Sequence, residues 1–254
     1  DLDGGYVPGG YEQASDSRGS VKAVVANKRS RLIDSSYGCA YYPWVQVRSS
    51  QNKNSVWVPP SVVALGTMAS STRASQVWFA PAGFTRGGLD SMGTRPGSAG
   101  LKVMDVRDRL TSSQRDSLYE NQVNPIAKFP AEGIVVFGQK TLQVSASALD
   151  RINVRRLLLH VKKQTSIIAA TTLFSPNDAT TWASFSGAMD SFLDDIKSEY
   201  GLQDYKVVLD STTTTDDLID ANVLYAQVYL KPTKAIEFIL VDFIITSQGA
   251  SFDD

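Results

Sequence analysis

Between Trp182 and Tyr200 the residues Trp182, Phe185, Met189, Leu193, Ile196 and Tyr200 recur every three or four positions. That spacing lines one face of an α-helix and leaves the helix no stable state without something to cover the face. Ser175, Pro176 and Asp178 read as an N-cap, a first-turn proline and an acid at the third helical position, and Gly201 reads as the stop. A second helix precedes this one. Ser147 and Asp150 have capping-box spacing, and Val154, Leu158, Val161, Thr165 and Ile168 follow along one stripe.

Shorter elements surround the pair. The glycine- and proline-rich start, Asp1 to Gln13, reads as turn or loop, and Val21 to Asn27 as a short helix. Tyr41 to Val47 alternates like a half-buried strand, with Pro43 marking an edge or a strand start; Val56 to Val58 resumes a strand before Pro59 and Pro60. A helix over Ser61 to Ala69 follows, then a long surface loop over residues 70–100, pinned by Val77, Trp78 and Phe79. Thr111 and Gln114 cap a helix over Ser112 to Glu120, and Ile134 to Phe137 is a strand. Near the end, Lys206 to Leu209 is a strand, and Thr214 and Asp217 cap a short acidic helix running through Asp220. Val223–Leu230 and Ile236–Ile245 form a hairpin closed by Lys231-Pro232-Thr233-Lys234. Its last strand is apolar on both faces, with Ile236, Phe238, Leu240 and Ile244 opposing Ile239, Val241, Phe243 and Ile245. Such a strand needs cover on both sides, which points to a partner.

Composition removes several function classes. A formal charge of −1 over 254 residues opposes general polyanion binding, so no nucleic-acid partner is expected. The lone cysteine, Cys39, excludes an internal disulfide and an all-cysteine zinc site, and one histidine excludes a multi-histidine metal site. No apolar run approaches the roughly 18–20 residues of a membrane span, so no direct membrane insertion is expected. The first residue is Asp1 rather than Met, which reads as a fragment or a processed chain.

Three motifs resemble chemistry. Gly133-Ile-Val-Val-Phe-Gly138-Gln139-Lys140-Thr141 comes close to a phosphate loop but has one residue too many before the lysine. Its bulky apolar interior favours a strand over a loop whose N–H groups turn inward on phosphates. His160 has no acid one helical turn away and no nucleophile elbow to serve, so a solvated or interface helix position is expected rather than a general base. Arg155, Arg156, Lys162 and Lys163 read as a solvated face or a contact for an acidic partner; Asp216, Asp217 and Asp220 read the same way with opposite sign. No catalytic residue, metal ligand or cofactor site is assigned.

Ordered blocks carry a resemblance. Phe129-Pro130-Ala131-Glu132-Gly133-Ile134, Phe137-Gly138-Gln139-Lys140-Thr141, Ile152-Asn153-Val154-Arg155-Arg156-Leu157, Phe174-Ser175-Pro176-Asn177-Asp178 and Lys231-Pro232-Thr233-Lys234-Ala235-Ile236-Glu237-Phe238 occur in order. Together with Tyr41-Tyr42-Pro43-Trp44-Val45, Val58-Pro59-Pro60-Ser61 and Val77-Trp78-Phe79-Ala80-Pro81-Ala82-Gly83, they make residues 35 to 254 similar to the tail sheath proteins of contractile-tailed bacteriophages.

The resemblance implies an α/β fold. A subtilisin-like α/β domain without protease function, incomplete at its N-terminal end, would occupy residues 1–125. A smaller α/β C-terminal domain ending in the β-hairpin and an arm would occupy 126–254. It implies no enzyme, but a structural subunit that polymerises as stacked rings around a tail tube protein, meets baseplate and tail terminator proteins, and contracts to drive the tube through the host envelope. An R-type pyocin or another contractile injection device would use the same fold. The expected location is the virion tail after assembly in the host cytoplasm. Inter-subunit strand pairing is expected at Val223, Tyr225, Val228, Ile236, Phe238, Leu240 and Phe243, with Asp216–Asp220 or Arg155–Lys163 facing tube or sheath.

Overall fold

The computed structural model describes residues 21–48, 54–89 and 103–237. The chain is a mixed α/β protein. In order it forms α1 (Val21–Ser30), β1 (Ala40–Tyr42), β2 (Val45–Arg48), β3 (Ser55–Val58), α2 (Pro60–Ala74), α3 (Gly83–Arg86), β4 (Val103–Val106), α4 (Ser112–Glu120) and β5 (Val123–Phe129). Then come β6 (Gly133–Val136), α5 (Ile152–Thr172), α6 (Ala179–Ser198), β7 (Leu202–Val208), α7 (Asp216–Asp220) and β8 (Gln227–Pro232). Among the described residues no helix is long and apolar enough to cross a membrane.

The strand expected over Tyr41 to Val47 breaks at Pro43, and its halves enter different sheets. β1 runs parallel to β5, which pairs antiparallel with β6; β2 lies antiparallel between β3 and β4. One apolar cluster gathers Val45 and Val47, Val63 of α2, Leu89, Val103, Ile126, Ile134 and Ile152. A smaller cluster packs Val21, Val24 and Val25 of α1 against Ala40, Tyr42, Leu118 and Val123. The third holds Leu157 and Val161 of α5, Phe185, Met189, Leu193 and Ile196 of α6, and Leu202 of β7. Among the described residues of the first half of the chain, Trp78 is the one buried residue that joins that last group.

Position 125, the expected domain boundary, falls inside β5, which pairs with β1 on one edge and β6 on the other. α5 links two packing units: Ile152 belongs to the first cluster, and Leu157 and Val161 to the third.

Local readings fared differently. α4 has the expected limits, with Thr111 Oγ1 accepting from the Gln114 N–H and Gln114 returning a bond to the Thr111 N–H. In α6 the buried stripe is as expected from Phe185 to Ile196, but the N-cap is Asp178, whose carboxylate accepts from the Thr181 N–H at 2.8 Å. Tyr200 lies past the helix end with φ 65°, exposed, so it leaves the stripe. Ser147 caps only the 3-10 turn Ala148–Asp150, and α5 begins at Ile152.

Candidate assembly surface

α5 presents the first site residues. Helical spacing puts Arg155 on the same face as Leu159, Lys162 and Ser166. Two of the four basic residues nevertheless point into the fold. Arg155 is 7% exposed: its guanidinium lies 4.1 Å from the Tyr37 ring centre and donates to Ser36 Oγ. Arg156 donates to the Met68 carbonyl and to Thr72 Oγ1 on α2, and burial holds its pKa below the ordinary arginine value. Arg155 and Arg156 are therefore withdrawn from the expected contact face. Segments more than 80 residues away cover the first turns of α5, and nothing in the local period signals that cover. Lys162 and Lys163 stay exposed, beside exposed Leu159 and Ile167.

His160 also changes meaning. Its ring sits between Trp78 and Phe192, at 5.9 and 6.0 Å between centroids. Burial, then Lys163, lowers its pKa, as expected for a half-buried ring in a basic, apolar setting. It is a packing residue rather than a solvated one.

The acidic helix α7 is exposed at Asp216, Asp217 and Asp220. Its N-cap is Thr215, and Thr214 does a different job from the expected capping. Thr214 is buried, and its hydroxyl donates to the Tyr225 carbonyl and accepts from the Tyr225 N–H. That pair ties the start of α7 to the approach to β8 and holds the three carboxylates at the surface.

Of the expected strand-pairing residues, Val228 lies in β8 opposite Val207 and packs against the third apolar cluster. Val223 and Tyr225 precede β8 and are 43% and 48% exposed. Ile236 lies beyond β8 and is 84% exposed; Phe238, Leu240 and Phe243 fall outside the described residues. The link read as a tight turn is not one at its start. Lys231 and Pro232 continue β8 opposite Asp204 and Leu202, and the Thr233 N–H donates to the Gly201 carbonyl at 3.2 Å. Pro232 is tolerated because it ends a strand of a two-stranded sheet. Among the described residues β7 and β8 pair only with each other.

Gly133 to Thr141 is strand and turn, with several of its N–H groups already engaged. Phe137 N donates to the Pro125 carbonyl, Lys140 N to Asn124 Oδ1 and Thr141 N to the Asp150 carbonyl. A Cβ on Gly138 would stand 2.8 Å from Asn124 Oδ1 and 3.1 Å from Asn124 Cα, which explains the glycine by close approach of the backbone. Gly138→Ala is expected to cost about 1–3 kcal/mol through this overlap. Urea melts with no shift would refute it.

Comparison with known proteins now bears on these surfaces. Residues 144–246 match the phage tail sheath C-terminal domain family. The chain carries a tail sheath domain. It is 36% identical over 221 residues to the tail sheath protein of Vibrio phage KVP40, covering 87% of this chain and 30% of that protein. It is 34% identical over 198 residues to that of Enterobacteria phage T4 (78% and 28% covered) and 32% over 231 residues to that of Salmonella phage ViI (91% and 35%). The chain thus spans about a third of the length of these relatives. The PVC sheath complex of an extracellular contractile injection system, in its contracted state, shares the fold with a TM-score of 0.74 at 24% identity, covering 91% of this chain and 62% of that one. The contracted helical sheath of the anti-feeding prophage does so with 0.66 at 25% identity, covering 90% and 67%. The match to the sheath domain begins at 144, close to where α5 leaves the first apolar cluster and well past the boundary expected at 125.

Proposed function

We propose that this chain is the C-terminal part of a contractile tail sheath subunit, a structural protein and not an enzyme. The carrying observation is 36% identity to a phage tail sheath protein across 87% of the chain. Subunits polymerise as stacked rings around a tail tube protein, between a baseplate and a tail terminator. They assemble in the host cytoplasm and work in the virion tail. The parallel β1–β5 pair with its flanking helices supports reading the first unit as the incomplete subtilisin-like α/β domain of such a subunit. The second unit is its C-terminal domain.

Physics of the surfaces supports the mechanism. A sheet with open edges accepts a neighbour's strand by backbone hydrogen bonds, which hold under rigid-body movement of the domains they join. A head-to-tail contact that does not close produces a helix of subunits. Contraction is a switch between two packings, held in the long state by a kinetic barrier and released at the baseplate. The exposed Lys162–Lys163 and Asp216–Asp220 faces supply contacts weak enough to exchange, since exposed ion pairs contribute about 0.2–1 kcal/mol each. The fold shared with two injection-system sheaths supports a second reading, the sheath of an R-type pyocin or similar device.

Electron microscopy of the full-length protein with its tube protein tests this. Ordered tubes are expected. Charge reversal at Lys162 and Lys163, or at Asp216, Asp217 and Asp220, should reduce sheath assembly on the tube. Dispersed globules from the wild-type protein would overturn the sheath reading; unchanged assembly in both reversed variants would overturn the role of the charges.

A further inference from the structure

The chain beyond β8 is held at two points. The first is the bond from the Thr233 N–H to the Gly201 carbonyl. Lys234, Ala235 and Ile236 then run exposed along a cleft of about 530 Å³, whose walls include Trp78, Phe137 and Tyr119. At Glu237 the side chain turns back into the protein. Its carboxylate Oε1 accepts from Arg151 Nε at 2.7 Å and from Gln139 Nε2 at 3.1 Å. The Glu237 side chain is 15% exposed.

The donors are themselves fixed. Arg151 bridges to Lys140, the Ile152 N–H donates to the Gln139 carbonyl at 2.7 Å, and Asp150 Oδ1 lies 3.1 Å from Arg151 Nη1. Tyr119 comes from α4. Burial, then the nearby Glu237 carboxylate, push its phenol well above the ordinary tyrosine value. One carboxylate thus collects two donors that the first unit and the start of α5 hold in place, and charge-assisted bonds of this kind are stronger than neutral ones.

We infer that Glu237 is a positioning residue that ties the C-terminal run to the core beside α5, so that tension on the residues after it passes into the core instead of peeling β8 from β7. A strand pulled from its end loses its ladder bonds one at a time, and each contributes little by itself. An anchor placed outside the ladder must yield before the first of those bonds is strained. The consequence for assembly rests on the sheath reading, in which neighbours are joined through strand contacts; the anchoring does not.

The test uses the full-length protein and trypsin, which cuts after Lys234 when the run lifts from the surface. E237Q is expected to be cut there about tenfold faster than wild type, with the melting temperature of the body little changed. Glu237→Asp, which keeps the charge with a shorter reach, should be intermediate. Arg151→Gln, which removes the donor and keeps Glu237, should be cut there about as fast as E237Q, and the double variant no faster than either single one. Equal cleavage of wild type and E237Q, or additive acceleration in the double variant, would overturn the anchoring. In electron micrographs E237Q should give fewer and shorter tubes than wild type; tubes of wild-type number and length would overturn the assembly role. Wild type forming no tubes while E237Q is cut faster would remove the sheath reading and leave the anchor standing.

Discussion

Trp78→Ala should lower the unfolding free energy by about 3–5 kcal/mol, the range for truncating a buried large aromatic. The indole is 7% exposed and packs in the cluster formed by α5, α6 and β7. Its Nε1–H donates to the Glu199 carbonyl at the C-cap of α6, at 3.0 Å. A Cβ on Gly201 would stand 3.0 Å from the indole Cε2, so glycine there admits the ring. Truncation empties this space and frees the C-cap carbonyl. Against a typical total of about 5–15 kcal/mol for a domain, that is a large share. Trp78→Phe keeps much of the packing and loses the N–H, so about 1 kcal/mol is expected from the hydrogen bond. Urea denaturation followed by circular dichroism measures both. A loss below about 1 kcal/mol for the alanine variant would show that the two units do not depend on this ring.

Asn124→Ala should be nearly as costly for a different reason. The side chain is fully buried in β5 and makes three bonds. Nδ2 donates to the carbonyls of Ala40 and Lys140 at 3.0 and 2.8 Å, and Oδ1 accepts from the Lys140 N–H at 2.7 Å. One amide thereby joins β1, β5 and the turn after β6. Removing it strands three backbone groups in a dry interior, each costing about 1–3 kcal/mol, so about 3 kcal/mol or more is expected. Hydrogen exchange offers a sharper check than melting alone. The Lys140 amide should lose protection in Asn124→Ala well beyond the change in global stability. Unchanged protection there would mean that water or a shifted backbone replaces the bond.

The Arg155–Lys163 segment shows where sequence reasoning succeeds and where it stops. Its helix was legible because apolar spacing is a local property that does not depend on what packs against it. Its charges were not, because Ser36, Tyr37 and Thr72 reach across from distant parts of the chain to cover Arg155 and Arg156. The near-phosphate loop is a strand and turn, as its bulky residues predict. The reason for Gly138 became visible only once Asn124 lay against it. The terminal link shows the opposite failure: Lys-Pro-Thr-Lys has the composition of a turn, yet pairing with β7 keeps its first half extended. β4, opposite β2, and the Glu237 contact had no local signal, since each depends on a partner far along the chain.

From the order of its residues alone, the approximate positions of α4, α5 and α6, the burial of Phe185, Met189, Leu193 and Ile196, and the tail sheath family could be reached; α3 and the last turn of α2 fall where a loop is expected. Each of these rests on spacing or on ordered blocks that a linear chain displays. The withdrawal of Arg155 and Arg156, the insertion of Trp78 into the second unit, the place where the units join and the anchoring of Glu237 came from folding. In each case the energy depends on desolvation and on partners brought together from distant positions, and neither exists until the chain has closed around them.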